Sequence, residues 1–214
     1  MKNRILLALL LNVSCCCMAQ ESVSVDSVLC AIREKDQSVR QKIMSVLASG
    51  NQDSIMTVVA QMNKVDKENQ TFVFGLLDNQ GWPDGLSDKA NSAIFLVIDH
   101  AESAAQEKYY PVVKDKAERG IISKGDAATL QDRILMTKGE MQIYGTQTTM
   151  VTVNGEKVNY LWPVRNPDQL DKLRKEVNLP PITEYIAVFE KQGMKLVWDK
   201  SLSVDALKAK MLRK

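Results

Sequence analysis

The feature that most constrains this chain is the uninterrupted apolar segment AIFLVI at residues 93–98, which comes just before the only histidine, His100. At 100° per residue its side chains would cover almost the whole circumference of a helix, and a helix that is apolar on every side must be buried. Ser87 fits the N-cap of such a helix, with Asp88 in its first turn. We therefore expect a central buried helix, with His100 where that helix approaches the surface.

Other helices are predicted around it. Apolar residues recur at helical spacing over residues 25–47 and over about 53–77, with charged residues on the opposite faces. Shorter helices are predicted over about 103–118 and 126–136, and Pro111 is expected to kink or split the first of these two. The first two thirds of the chain therefore indicate helix packed on helix.

The period then changes from helical to alternating. Residues 143–153 and 157–162 flank Asn154-Gly155, a two-residue turn that favours a β-hairpin. Closing the chain on that turn predicts three cross-strand pairs: Val153 with Glu156, Val151 with Val158, and Thr149 with Tyr160.

Three more helix starts follow the hairpin. Asn166 before Pro167 and then Thr183 resemble N-caps, and Ser203 opens a last short helix. The fold prediction is a mainly α single helical domain with one β-hairpin, at about 147–162, inserted before the C-terminal helices.

The N-terminus has the pattern of an export signal. Lys2 and Arg4 precede a short apolar run, and the segment ends in small residues at Ala19. An alternative is a lipoprotein signal with Cys16 as the lipidated residue, because an aliphatic residue stands three positions before it. The predicted organisation is a signal peptide (1–19), an α-rich domain (20–193) and a basic C-terminal tail or helix (194–214), in the periplasm or outside the cell.

Charge and cysteine content exclude several classes of protein. Lys2 and Arg4 account for two of the 28 basic residues, so residues 20–214 carry 26 basic against 26 acidic residues, which argues against a nucleic-acid binder. No other apolar run approaches membrane-spanning length. Cys30 and His100 are too few for a structural zinc site, and glycine-rich phosphate loops and the G-x-S-x-G motif are absent. No cofactor is predicted.

Polar residues in apolar or turn-rich surroundings form the candidate site. They occur in DQSVR (36–40), DKEN (66–69), GWP (81–83), DHA (99–101), DR (132–133) and QIYGTQ (142–147). In this order the motifs resemble a bacterial domain-of-unknown-function family with the signature GWP … HA … DR … Q-x-YGTQ. The resemblance runs from about Leu29 to Tyr185 and implies no activity. Asp99 stands where the family pattern has glutamine, which weakens any role assigned to that position.

His100 has two interpretations. As a catalytic group it would be a general base held by Asp36, Asp66 or Asp132. Adjacent residues of a helix do not face each other, so Asp99 is not the expected partner. As a structural group it would belong to a buried hydrogen-bond network. The other members of that network would be Gln147, Asp132 and Arg133.

The remaining candidates are binding groups: Gln142, Tyr144, Gln147, Trp82, Arg133, Asn69, Asp36 and Arg40. Asp36–Arg40 could equally be an ordinary helix-surface pair and Trp82 a packing corner. The favoured function is a non-catalytic envelope domain that binds a small molecule, a glycan or a partner protein. The alternative is a hydrolase with His100 as general base, Asp132 in support, and a cleft lined by Tyr144 and Gln147.

Overall fold

A computed structural model of the chain describes residues 24–153 and 155–212. The predicted signal, including Cys16, lies outside the described residues, as does Asn154 of the predicted turn. Within 24–212 none of the helices combines the length and apolarity needed to cross a bilayer.

Two long helices, α1 (Val25–Ser49) and α2 (Gln52–Gln80), form an antiparallel hairpin. Ser24 caps α1 by accepting a hydrogen bond from the backbone N–H of Ser27, and Asn51 caps α2 in the same way. Helix α2 continues to Gln80, where the sequence had indicated a turn from residue 78. Both helices therefore extend a little further than predicted.

Helix α3 (Asp88–Asp99) is the predicted central helix. The side chain of Ser87 accepts a hydrogen bond from the N–H of Ala90, as expected of its N-cap. Ala93, Ile94 and Ile98 are fully buried. The burial prediction is confirmed, and His100 is the C-cap residue of this helix.

Helices α4 (Ser103–Glu118) and α5 (Lys124–Thr137) complete the helical layer around α3. Pro111 lies inside α4 and does not split it. Val113 of α4 and Leu130 of α5 are fully buried in the same core as α3. This packing fixes the turn between α3 and α4 that carries His100.

The hairpin consists of β1 (Thr148–Val153) and β2 (Glu156–Leu161), antiparallel and in the predicted register. Residues 143–147, predicted as strand, instead form an irregular loop, and an isolated parallel bridge joins the preceding Gln142 to Val164. A third strand, β3 (Leu196–Val197), pairs in parallel with β2 and was not predicted.

The C-terminal helices are α6 (Leu170–Glu176), α7 (Ile182–Lys191) and α8 (Val204–Leu212), with a 3-10 turn at Pro167–Gln169 before α6. Asn166 stands at the N-cap position of the 3-10 turn, as predicted, but its side chain makes no capping hydrogen bond. Thr183 lies inside α7, so that cap prediction was wrong. Ser203 does accept a hydrogen bond from the N–H of Ala206, as predicted.

Residues 194–212 were predicted as an appended tail, but they pack on the hairpin. Leu202 and Leu207 are buried against Val151 and Trp162, and Leu196 is buried in a neighbouring cluster. Burial of three leucines favours attachment of this segment, since each fully buried aliphatic side chain contributes about 1.5–3 kcal/mol.

Candidate functional site

His100 is held by a carboxylate from a neighbouring helix. Its Nδ1 lies 3.1 Å from Oδ1 of Asp36, which projects from α1. Asp36 is 1% exposed, whereas the side chain of His100 is 20% exposed. Of the three acids that the sequence offered as partners, the packing of α1 on α3 selects Asp36. A buried carboxylate favours a proton on the imidazole nitrogen that faces it.

Asp36 is in turn fixed by two other side chains. Arg40, one turn later on α1, lies 2.8 Å from Oδ1 of Asp36 and also donates to both carboxylate oxygens of Asp66 on α2, at 3.0 and 3.2 Å. Gln37 donates to the second oxygen of Asp36 at 2.8 Å. Asp36–Arg40 is therefore part of a network joining α1, α2 and α3, rather than an isolated surface pair.

Electrostatics favours the ionised form of Asp36. Burial alone would raise the pKa of Asp36, but the hydrogen bond and charge of His100, with the charge of Arg40 and the amide of Gln37, together lower it. Asp36 is thus a charged acceptor at neutral pH, which lets it orient the imidazole.

The turn after His100 is fixed independently. Gln106 of α4 donates to the backbone oxygens of Asp99 and Ala101, and Arg133 of α5 lies 3.0 Å from Oδ1 of Asp99. The other imidazole nitrogen, Nε2, lies 4.0 Å from Asp99, which is too long for a hydrogen bond. Within the described part of the chain Nε2 has no hydrogen-bond partner.

An open cleft of about 590 Å³ lies between α2 and the α3–α4 turn, and His100 lines it. The cleft also has amide, charged and methyl-bearing walls, formed by Asn63, Asp66, Lys67, Gln70, Glu102, Ala104 and Ala105. Apart from Asp66, sequence reasoning missed these residues, because they appear as the ordinary exposed face of an amphipathic helix. Tyr144 and Gln147, expected at this cleft, do not line it.

Asp132 has a different role in the fold from the one expected. Its carboxylate is fully buried and accepts hydrogen bonds from the backbone N–H groups of Ile143, Tyr144 and Thr146, and from the hydroxyl of Thr146. Burial raises the pKa of Asp132, while these donors act in the opposite direction. Asp132 therefore anchors the loop 142–147 and makes no contact with His100.

The glutamines of this loop are also turned inward. Gln142 is fully buried, donates to the backbone oxygens of Gln147 and Trp162, and accepts from the N–H of Gln147. The side-chain amide of Gln147 donates to the backbone oxygen of Thr129 at 3.3 Å. Both satisfy backbone groups where the chain passes from α5 to the hairpin. The expected network of His100 with Gln147, Asp132 and Arg133 is therefore not formed. Gln147 and Asp132 bond this loop and its surroundings, and Arg133 pairs with Asp99.

Arg174 of α6 holds the same loop from the other side. It is 1% exposed and donates to the backbone oxygens of Tyr144, Gly145 and Pro180 at 2.7, 3.1 and 2.6 Å. Tyr185 stacks near its guanidinium, 5.3 Å from the ring centre. Because Asp132 takes the loop's N–H groups and Arg174 takes its carbonyls, two buried charges fix the backbone of Tyr144.

Gly145 allows this arrangement. Its φ of +66° lies in the left-handed region that favours glycine, and a Cβ there would approach the side chains of Leu170 and Ile182 to 3.3 and 3.5 Å. The close approach that the sequence suggested is therefore to these two side chains and not to the helix of His100.

The two remaining candidates lie in the helical core. Trp82 is 6% exposed and donates from Nε1 to Asn91, while Lys116 donates to its backbone oxygen, so it forms a packing corner. Asn69 is 4% exposed, and its Nδ2 has no hydrogen-bond partner among the described residues. In the same part of the chain, no group of three histidine, cysteine, aspartate or glutamate side chains is placed to hold a metal ion.

Comparison with known proteins supplies a family but no activity. The family model described as a family of unknown function, DUF6624, matches residues 24–197. No curated protein and no solved structure matches the chain. The match spans α1 to β3, and so it includes the His100 network, the anchored loop and the sheet. The chain therefore belongs to the DUF6624 family of unknown function.

Proposed function

We propose that this protein is a ligand-binding domain of the bacterial cell envelope and that its ligand occupies the cleft at His100. One observation carries the proposal: Nδ1 of His100 is committed to Asp36, while Nε2 has no hydrogen-bond partner among the described residues and the ring lines an open cleft. A nitrogen that faces an open cleft can bond a ligand in place of water.

The cleft walls suggest a polar ligand. Asn63 and Gln70 offer amide donors and acceptors, Lys67 offers a cation, and Asp66 and Glu102 offer carboxylates. A cleft of about 590 Å³ is within the usual size of small-molecule sites. The envelope location rests on the export pattern of residues 1–19, with lipidation at Cys16 as the alternative anchor.

A second candidate is a hydrolase, and the Asp36–His100 pair favours it. An imidazole oriented by a buried carboxylate, with its other nitrogen open to a cleft, is the arrangement of a general base. Nε2 would take a proton from water while that water adds to the carbonyl carbon of a bound ester or amide, and the imidazolium would return the proton to the leaving alcohol or amine as its bond to that carbon breaks. In this version Asp132 and Tyr144 have no part, because they lie at the anchored loop.

The experiment uses residues 20–214 without a histidine tag and follows the single imidazole resonance by NMR. N-acetylated sugars, short peptides and small carboxylic acids are added in turn, and product formation is monitored in the same tube. Binding predicts that one class shifts the His100 resonance at saturable concentration. Hydrolysis predicts the same shift followed by new product signals. If no class shifts the resonance, both versions fail.

Two variants separate the cleft nitrogen from the structural contact. In His100→Asn the side-chain amide reaches about where Nδ1 stands, which preserves a donor to Asp36 but removes the group at Nε2. In His100→Gln the amide reaches about where Nε2 stands and the contact with Asp36 is lost. The proposal predicts that His100→Asn folds normally yet loses binding. If His100→Asn binds as well as the wild type does, Nε2 is not the ligand contact.

A further inference from the structure

A second concave site lies on the opposite end of α4 from His100, where α4 and α5 meet the anchored loop and the end of α6. It encloses about 230 Å³. Tyr110, Tyr144 and Gln131 line it together with a floor of Ala117, Ala127, Ala128 and Val177 and a rim of Lys114, Glu118, Lys124 and Glu176. No residue is shared with the His100 cleft.

Two buried charged side chains hold the backbone of Tyr144 at this pocket. Its backbone N–H is held by buried Asp132 and its backbone oxygen by buried Arg174. Burying two charged groups is costly unless they are paired; here Asp132 bonds this loop, and Arg174 bonds the loop and Pro180. Yet the hydroxyl of Tyr144 makes no hydrogen bond within the described part of the chain. The Tyr144 hydroxyl is therefore free to bond a ligand in the pocket.

Other polar groups of the lining are also unpaired. The hydroxyl of Tyr110 and the side-chain amide of Gln131 have no hydrogen-bond partner among residues 24–153 and 155–212. Burial raises the pKa of Tyr110 to about 12, helped by neighbouring Tyr144 and Asp132, so its hydroxyl keeps its proton at neutral pH and can donate. The pocket therefore offers at least three groups that can each donate and accept.

The charge and shape of the pocket narrow the ligand class. The rim balances Lys114 and Lys124 against Glu118 and Glu176, so the site has no formal net charge to select an anion or a cation. The alanine and valine floor and the two tyrosine rings offer apolar surface to one side of a ligand. Hydroxyl-rich rings with one apolar C–H face match both features.

We propose that this pocket binds a neutral, polyhydroxylated ligand of the size of one sugar ring. Tyr110, Tyr144 and Gln131 bond its hydroxyl groups, and the alanine floor packs against its C–H face. The site is independent of the function proposed for the His100 cleft.

The test uses residues 20–214 with glucose and galactose as probes and alanine as a zwitterionic probe, measured by calorimetry and by saturation-transfer NMR. From the binding free energy per non-hydrogen atom of ordinary ligands, we expect a Kd of about 1 mM for a sugar. Tyr110→Phe and Tyr144→Phe keep the ring and remove only the hydroxyl, and each should weaken sugar binding by about 3- to 10-fold.

The controls place the binding at this pocket. Tyr160→Phe makes the same change on the sheet, against Lys210, and should leave the affinity unchanged. Neither probe sugar has the N-acetyl group of the sugars tested at the His100 cleft, so the two tests stay separate. If either phenylalanine variant folds poorly, Gln131→Ala takes its place and should also weaken sugar binding. The proposal is overturned if neither sugar binds at ten times the expected Kd, if both tyrosine variants bind as the wild type does, or if alanine binds here and the sugars do not.

Discussion

Replacing Asp132 by asparagine tests how the loop 142–147 is held. Each carboxylate oxygen faces backbone donors: Oδ1 accepts from Ile143 at 2.7 Å and Oδ2 accepts from Thr146 at 3.1 Å, while Tyr144 is 3.1 Å from both. An asparagine must place an NH₂ group at one of these positions. In either orientation one buried N–H loses its acceptor and meets another donor instead.

The expected loss in the free energy of unfolding follows from this backbone N–H that loses its acceptor. A buried donor without a partner costs about 1–3 kcal/mol, and the remaining hydrogen bonds lose the help of the negative charge. Burial raises the pKa of Asp132, so a neutral side chain relieves part of the cost of burying a charge. We expect Asp132→Asn to lower the free energy of unfolding by about 2–3 kcal/mol.

The assay is urea unfolding followed by circular dichroism, together with amide hydrogen exchange. For a domain of this size, the expected loss moves the urea midpoint down by about 1 M. The amides of Ile143, Tyr144 and Thr146 should exchange faster than in the wild type. Asp115→Asn, on the surface of α4, is the control because the Asp115 carboxylate is exposed and lies beside Arg119 at the surface, and its effect should stay below about 1 kcal/mol. If the midpoint of Asp132→Asn equals that of the control, the carboxylate is not the anchor of the loop.

Three other predictions can be tested with the same protein. Arg174→Lys should lower the free energy of unfolding by about 2–3 kcal/mol, because an ammonium cannot reach all three carbonyls, whereas Lys175→Arg on the exposed face should be neutral by urea unfolding. The folded-state pKa of Asp36 is lowered, so the ionised carboxylate adds to the free energy of unfolding. That addition is complete above the unfolded pKa and is lost as the pH falls below about 4. Between about pH 5 and 3, Asp36→Asn should therefore lose less stability than the wild type does. Intact-mass analysis of protein secreted by a bacterial host should give a chain beginning at Gln20, and an uncleaved chain retained in the cytoplasm would contradict the export proposal.

Much of the helical layer could be predicted, because burial of α3 leaves a direct trace in the sequence. The run at residues 93–98 is apolar on all sides, and those residues are largely buried. The hairpin register could also be predicted, since a two-residue turn fixes which residues stand opposite each other. Loop 142–147 could not, because its alternating pattern is that of a strand while its backbone is held by side chains from α5 and α6.

The site could be predicted only in part, because long-range partners depend on helix packing. His100 was identified from its position after an apolar helix, but choosing Asp36 over Asp66 and Asp132 requires knowing that α1 packs on α3. Arg174 was missed entirely: LDKLRKE has the composition of an exposed helix, and only the tertiary fold buries its arginine. Strand β3 is two residues long, which is too short for any alternation to mark it.

The central claim is that His100 presents a free nitrogen to an open cleft. The most direct measurement is carbethoxylation of the single imidazole of residues 20–214 by diethyl pyrocarbonate near neutral pH, followed by mass spectrometry of the peptide that contains His100, with circular dichroism confirming that the protein stays folded. We expect His100 of the folded protein to react, because Nε2 is open to reagents in the cleft. A His100 that reacts only after the protein unfolds would contradict the claim, since the side chain would then be sealed in the core and the cleft would have no imidazole to offer a ligand.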